Sequence, residues 1–408
     1  MDGIKGKGVQ ETMAQRKRPA CVDQLLAASD AAEAHAFLFH GGGTDDYMRP
    51  GIDLRQYLAR MFSPGYEIVV SYSVSRGFRF GGYDQAQPNS MGMRKRFHEI
   101  LGMDDKNPDQ PLLPAPAPAV QLLLKLMRTA KPNSVIVMLD HLENMVGEKV
   151  PVDGAMIGLM EMLHDAGTED TIAQSGNLLI MFSPTLTEIK ESVRSVSSGI
   201  KMIEVPLPST SARFDFVTEW LGTEPTPIKM VGITEQQVAT LTAGLYLRHV
   251  ETVLLRAREN NHTLTRDLAL SVQREMMDTE YAGIIKRVER TFHLTDVGGH
   301  VEAKAYGEKH IARSKAGKRT AGAILWAGPP GTGKTMIAAA LANDSGQNCL
   351  EVDFSTLLGS LVGQTEKSIA KLKECAMSNA PCQIICDEID QKIRRGEGGQ
   401  DSGGGGAV

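Results

Sequence analysis

Eight consecutive residues carry the strongest chemical signal in this 408-residue chain. Gly328-Pro329-Pro330-Gly331-Thr332-Gly333-Lys334-Thr335 fills every fixed position of G-x-x-x-x-G-K-[ST]. Glycines at those places let the backbone curl until successive N–H groups face one anion. A helix opening behind them adds its positive end to the same point. Lys334 is then placed to reach the β- and γ-phosphates of a nucleoside triphosphate, and Thr335 to set its hydroxyl on Mg2+. Candidate nucleotide-binding positions run from Gly328 through Thr335 and into Met336. The other half of such a site is an apolar strand ending in acids. Ile384-Ile385-Cys386-Asp387-Glu388 supplies one, with Asp387 to hold the metal through its water shell and Glu388 to polarise an attacking water. Acids at strand ends are common, so this pair takes its meaning from lying ~50 residues after the glycine loop.

Two stretches of alternating strands and helices must position these groups. In the first, continuously apolar runs at 36–40, 66–72, 134–139, 177–182 and 202–205 alternate with helical periodicity at 53–61 and 121–127. Strands of that kind indicate a parallel sheet covered on both faces. From 234 to about 290 the spacing is helical only, over 236–247, 249–258 and 265–277. The second α/β stretch has a strand at 323–327 feeding the glycine loop, a helix at 336–342 and a strand at 349–354. A charged helix at 366–377 and a strand at 383–386 follow it. Residues 394–408 are glycine-rich and cannot build a core.

Composition narrows the class. Hydrophobic residues make up 42% and charged residues 23%, as in a globular protein, and the net charge of −5 gives no drive toward nucleic acid or anionic membrane. Lys5, Lys7, Arg16, Lys17 and Arg18 make a short basic leader, read as solvated. No run approaches the ~20 apolar residues of a membrane span, and no apolar signal core opens the chain. Of the five cysteines, four fall between 349 and 386 without converging metal ligands, and read as free buried thiols in a reducing cytoplasm.

With these motifs in order, residues 291–390 resemble the AAA+ ATPase family. Phe292-His293-Leu294-Thr295-Asp296-Val297-Gly298-Gly299 looks like the family's opening motif, which cups the adenine and implies Val297 and Gly298 as further nucleotide-binding residues. The loop 328–335, LVGQTEKSI at 361–369 and IICDEID at 384–390 follow in the family's order. Within it, the chain looks closest to the Ycf-type AAA proteins of chloroplasts and cyanobacteria. Ser75-Arg76-Gly77-Phe78, Met138-Leu139-Asp140 and Val205-Pro206-Leu207-Pro208 fall where that group has comparable segments. The resemblance implies two P-loop NTPase-like αβα modules joined by a small helical lid or linker. The expected division is a leader at 1–21, a degenerate nucleotide-binding-like module at 22–220, a helical linker at 221–290 and an AAA+ core at 291–408. The first module departs from a working site. His40-Gly41-Gly42-Gly43-Thr44-Asp45-Asp46 has no lysine, its two acids would repel a triphosphate, and His141 stands where a catalytic glutamate belongs. The second departs too, since Leu361 replaces the pore-loop aromatic of protein-threading relatives.

The resemblance further implies ATP and Mg2+ as cofactors, with Lys334 and Glu388 catalytic and Thr335 and Asp387 at the metal. It implies a homo-oligomer, a hexamer at full length, that remodels an unknown protein partner without nucleic acid or membrane insertion. The expected location is the cytoplasm, or the plastid stroma for a plastid-encoded chain. The alternative is a nucleotide-responsive regulator or scaffold with little turnover. The sensor residue, arginine fingers and helical lid are expected beyond Val408, which makes the core C-terminally incomplete and turnover by this polypeptide negligible.

Overall fold

A computed structural model describes residues 18–81, 90–104, 112–281, 284–287, 292–316, 318, 322–345, 347–352, 364–379 and 382–387. The chain divides into two units, Met1–Pro206 and Leu207–Val408, and each is taken by itself.

The apolar runs of the first unit form a six-stranded sheet. Its strands are β1 (Ala36–His40), β4 (Ile68–Ser73), β5 (Gly77–Phe80), β6 (Val135–Leu139), β7 (Leu178–Ser183) and β8 (Lys201–Glu204). A separate antiparallel ribbon joins β2 (Tyr47–Arg49) to β3 (Ile52–Asp53). The sheet order is β5-β4-β6-β7-β1-β8, and every neighbouring pair is parallel except β4 with β5. The five expected strands are present with ends shifted by at most two residues. Every residue of β4, β6 and β7 is buried, because helices on both faces contribute Leu25, Leu58, Leu123, Met127 and Leu163 to one core with them. The sixth strand, β5, was not anticipated. It is four residues long and contains Gly77 and Arg79, so it lacks an apolar run. It is held by the rings of Phe78 and Phe80 against Phe97, 5.5 and 5.2 Å between centroids. Asn177, wholly buried just before β7, ties the start of the neighbouring β6 to the helix Pro116–Thr129: its Oδ1 accepts from the Ser134 and Val135 amides, and its Nδ2 donates to Met127 O. The basic leader is mostly outside the described residues, and Ala20 and Cys21 already belong to the helix Ala20–Asp30.

The second unit opens with helices Thr210–Thr223, Glu235–Leu241, Leu247–Glu259 and Arg266–Tyr281. The expectation of helices alone over 234–290 is corrected. β10 (Thr263–Thr265) pairs in parallel with β9 (Lys229–Val231), and β11 (Ile285–Arg287) lies antiparallel to β12 (Asn348–Val352). Three-residue strands are too short to show a period of two. The single helix expected at 236–247 also breaks, since Gly244 takes a positive φ of 84° that ends a helix at small cost. β13 (Cys382–Cys386) pairs with β12 in parallel. Leu245, Met277 and Tyr281 of the helical part share a core with Leu350, Val352 and Cys375, and the Tyr281 hydroxyl donates to Gly244 O at 3.0 Å.

The strand expected at 323–327 is not formed among the described residues. A strand needs a partner ladder, and no described strand pairs with this segment, which leaves Leu325 80% exposed. No helix among the described residues is long and apolar enough to cross a membrane.

Candidate nucleotide site

The glycine loop runs directly into the helix Lys334–Ser345, whose sequence KTMIAAALANDS is rich in alanine, the best helix former. Gly331 and Gly333 take φ of 76° and 81°, values that an L side chain rarely adopts, and a Cβ at either would meet nothing within 4 Å. The loop is therefore shaped by backbone need around open space, as a cradle for an anion requires. Lys334 Nζ donates to Gly328 O at 3.0 Å and Pro329 O at 2.8 Å, which holds the ammonium over the loop. Thr332 Oγ1 braces the same turn on Pro329 O at 2.9 Å. The Thr335 hydroxyl donates to Asp387 Oδ2 at 2.9 Å, which places a hydroxyl and a carboxylate together beside the cradle. Hard oxygen ligands of this kind suit Mg2+, which keeps several waters and binds through one or two protein oxygens plus phosphate. The residues fit Mg·ATP.

The apolar wall beside the loop comes from the segment at 292–299. Val297 is buried with Leu294, Ile337 and Ala340, and Met336 and Trp326 pack against that cluster. Gly298 follows it, exposed, with open space where a Cβ would stand. The structure thus brings Thr335 of the loop together with Asp387, and packs Val297, which Gly298 follows, against the helix that carries Met336. Glu388 lies outside the described residues, as do Leu361 and the whole of 353–363.

Sequence reasoning missed Asp344, in the last turn of the loop's helix. Its Oδ1 contacts His293 Nδ1 at 2.6 Å and its Oδ2 accepts from the Leu294 amide at 2.9 Å. Asn343 Nδ2 donates to Phe292 O at 3.0 Å. The bond to Asp344 raises the His293 pKa, while the Leu294 amide and His293 outweigh desolvation and lower that of Asp344.

The glycine turn of the first unit is closed in by the chain's own backbone and by Arg55. β1 lies between β7 and β8, so strand order reverses there, and a ligand would bind off its carboxyl end. Gly41, at φ 107°, is pressed against the chain's own backbone, and a Cβ on it would sit 2.8 Å from Val205 O. Gly43 N donates to Val205 O at 3.2 Å. Arg55 lies against the same turn. Its Nε donates to Asp140 Oδ1 at 2.7 Å, one terminal nitrogen to Asp45 Oδ1 at 2.7 Å and the other to Thr44 O at 3.0 Å. Its guanidinium lies 5.1 Å from the centre of the Phe182 ring. A cation built into the fold stands against the acid that would serve a metal in a working copy. Arg55 was legible after a fashion: it shares the inward stripe of its helix with Leu58, Ala59 and Phe62.

Three family models match in order along the chain. They are an AAA+ chaperone N-terminal Rossmann-like domain over 11–206, an AAA+ chaperone second helical domain over 211–282, and the AAA family of ATPases associated with various cellular activities over 324–407. The chain belongs to the AAA+ ATPase family. Among curated proteins, the AAA+ chain is 28% identical to the ATPase family gene 2 protein of Schizosaccharomyces pombe over 253 residues, 56% of the chain and 31% of that protein. It is 36% identical to peroxisomal ATPase PEX6 of Dictyostelium discoideum over 118 residues, 27% of the chain and 10% of that protein. It is 46% identical to the cell division cycle protein 48 homolog of Archaeoglobus fulgidus over 79 residues, 19% of the chain and 11% of that protein. The AAA+ chain therefore spans less than a third of the length of these relatives.

Proposed function

We propose that the chain binds Mg·ATP at Gly328–Thr335 with Asp387, and that the protein hydrolyses it as an oligomeric AAA+ ATPase that remodels a protein partner. The observation that carries this reading is the Thr335–Asp387 contact of 2.9 Å beside an open glycine cradle. Lys334 exchanges the Gly328 and Pro329 carbonyls for phosphate oxygens, and the amides of the loop bind the rest of the chain's anionic ligand. Magnesium, when bound, supplies positive charge to the transferring phosphoryl group. Thr335 and Asp387 orient that charge, Glu388 takes the proton of the attacking water, and Val297, Gly298 and Met336 receive the base. Within AAA+, we propose kinship with the Ycf-type proteins, supported by Met138-Leu139-Asp140 ending β6 and by Val205-Pro206 closing over Gly41 and Gly43. Its leader, degenerate first module, helical linker and ATPase core divide the work, the first module serving as scaffold. Five free cysteines suit a reducing compartment, the cytoplasm or plastid stroma.

A second reading is a nucleotide-responsive regulator that binds ATP with little turnover. It is favoured by the first module, whose switch point is filled by Arg55. ATP titration and phosphate release decide between them. Removing the ammonium in Lys334→Ala should weaken ATP binding about 10- to 100-fold, as for a hydrogen bond to a charged group. Glu388→Gln should keep binding and lose about 10²-fold or more of any turnover. Equal ATP affinity in wild type and Lys334→Ala would overturn both readings, and tight binding without turnover leaves the regulator.

A further inference from the structure

The segment 292–297 is fastened to the far end of the phosphate-binding helix. Asp344 is ten positions beyond Lys334, about 15 Å along the axis at 1.5 Å per residue. An acid in the last turn of a helix faces the negative end of the macrodipole and is disfavoured there. Asp344 is held in place by what it binds, using both oxygens, one on the His293 ring and one on the Leu294 amide. His293 also opens the short turn Leu294–Asp296, its own amide donating to Asp296 Oδ2 at 2.7 Å. Immediately after that turn the chain delivers Val297 into the apolar cluster with Ile337 and Ala340. The segment that carries Val297 is thus tied to the last turn of the helix that follows the glycine loop, through an ion pair remote from the loop itself.

We propose that His293 and Asp344 are positioning residues that set the affinity for the nucleoside half of the ligand, and that protonated His293 is required for it. The inference rests on the proposed reading of Gly328–Thr335 as a nucleotide site whose base is received by Val297 and Gly298. The groups facing the pair are Asp296 on the His293 side and Lys315, the last residue of the helix Val301–Lys315, on the Asp344 side. Asn343 adds an uncharged amide. The bond to Asp344 favours the charged imidazole, so the clamp is complete below the ordinary His pKa of 6.5 and is released as pH rises through the elevated folded value. Asp344 stays ionised until pH falls below its ordinary 3.8.

The test compares Mg·ATP with Mg·tripolyphosphate, which shares the titrating terminal phosphate but has no base, by calorimetric titration of the full chain. His293→Ala should weaken ATP at pH 6 by about two- to five-fold, the strength of an exposed ion pair, and leave tripolyphosphate unchanged. In wild type the preference for ATP over tripolyphosphate should decline between pH 6 and 8.5, and in His293→Ala it should be flat. Asp344→Asn and His293→Gln, each keeping a polar partner, should also flatten the profile and guard against a folding defect in the alanine variant. Equal ATP affinity of His293→Ala and wild type at pH 6, or parallel weakening of both ligands, overturns the clamp while the phosphate site stands. Failure of wild type to bind either ligand removes the nucleotide site and the clamp together.

Discussion

The Thr335 hydroxyl reaches the Asp387 carboxylate at 2.9 Å across 52 positions of sequence. One residue opens a helix and the other ends a strand, so their meeting reports that the loop and β13 are assembled around one point. Each is poor evidence of a site by itself. Together they define where a hydrated divalent cation would be oriented.

That contact predicts a metal-specific loss. Thr335→Ala and Asp387→Asn should each lower Mg2+ affinity in the presence of ATP by about 10- to 100-fold, the usual effect of removing a group that orients a metal site. ATP binding in EDTA should change much less. Titrations with and without Mg2+ measure both, and equal losses in the two conditions would refute a metal role.

Arg55 and Asp140 in the first unit are both nearly buried, with side chains 7% exposed. Arg55→Ala leaves Asp140 buried without that cation, which should cost about 3–5 kcal/mol in denaturant unfolding of the first unit. The pair replacement Arg55→Met with Asp140→Leu should recover much of the loss. Because Arg55 already stands at the switch point, ATP should bind with a stoichiometry of one per chain, and Lys334→Ala should weaken that single site.

Asn177 is a sharper probe of the same unit. Asn177→Ala strands the Ser134 and Val135 amides in a buried place, at about 1–3 kcal/mol for each unsatisfied group. Asn177→Asp keeps an acceptor and should lose less. Urea melts of the two variants give the comparison.

The junction of the helical part with β12 predicts alkaline sensitivity. Burial pushes the Cys375 thiol up to about 12 and the Tyr281 phenol well above its ordinary 10.0. Both groups ionise more readily in the unfolded chain, so their stability is fully present below pH 9 and drains as pH rises from there. The slope is about 1.4 kcal/mol per pH unit for each titrating group. Chemical denaturation from pH 8 to 11 should show it, and Tyr281→Phe should shallow the decline above pH 10.

The nucleotide motif and the parallel sheet were legible because both depend on local pattern. A glycine loop needs fixed spacing, and β4, β6 and β7 are buried on both faces, so their apolar runs are continuous. The missing lysine and added acids of 40–46 were equally plain. Tertiary structure decided the rest. β5 has no apolar run, the segment 323–327 has an apolar run without a described ladder partner, and neither outcome is written in its own residues. Arg55 against Asp140 and His293 against Asp344 are separated by 85 and 51 positions. No periodicity connects such residues, since only the packing of distant segments brings each pair to one place, buried for Arg55 with Asp140 and exposed at the His293 side for the other. By itself the sequence determined where an anion cradle would form and which copy lacks one. Only the fold decided that Arg55 of the lacking copy pairs with Asp140 and Asp45, and that the segment 292–297 is tied to the helix that follows the glycine loop.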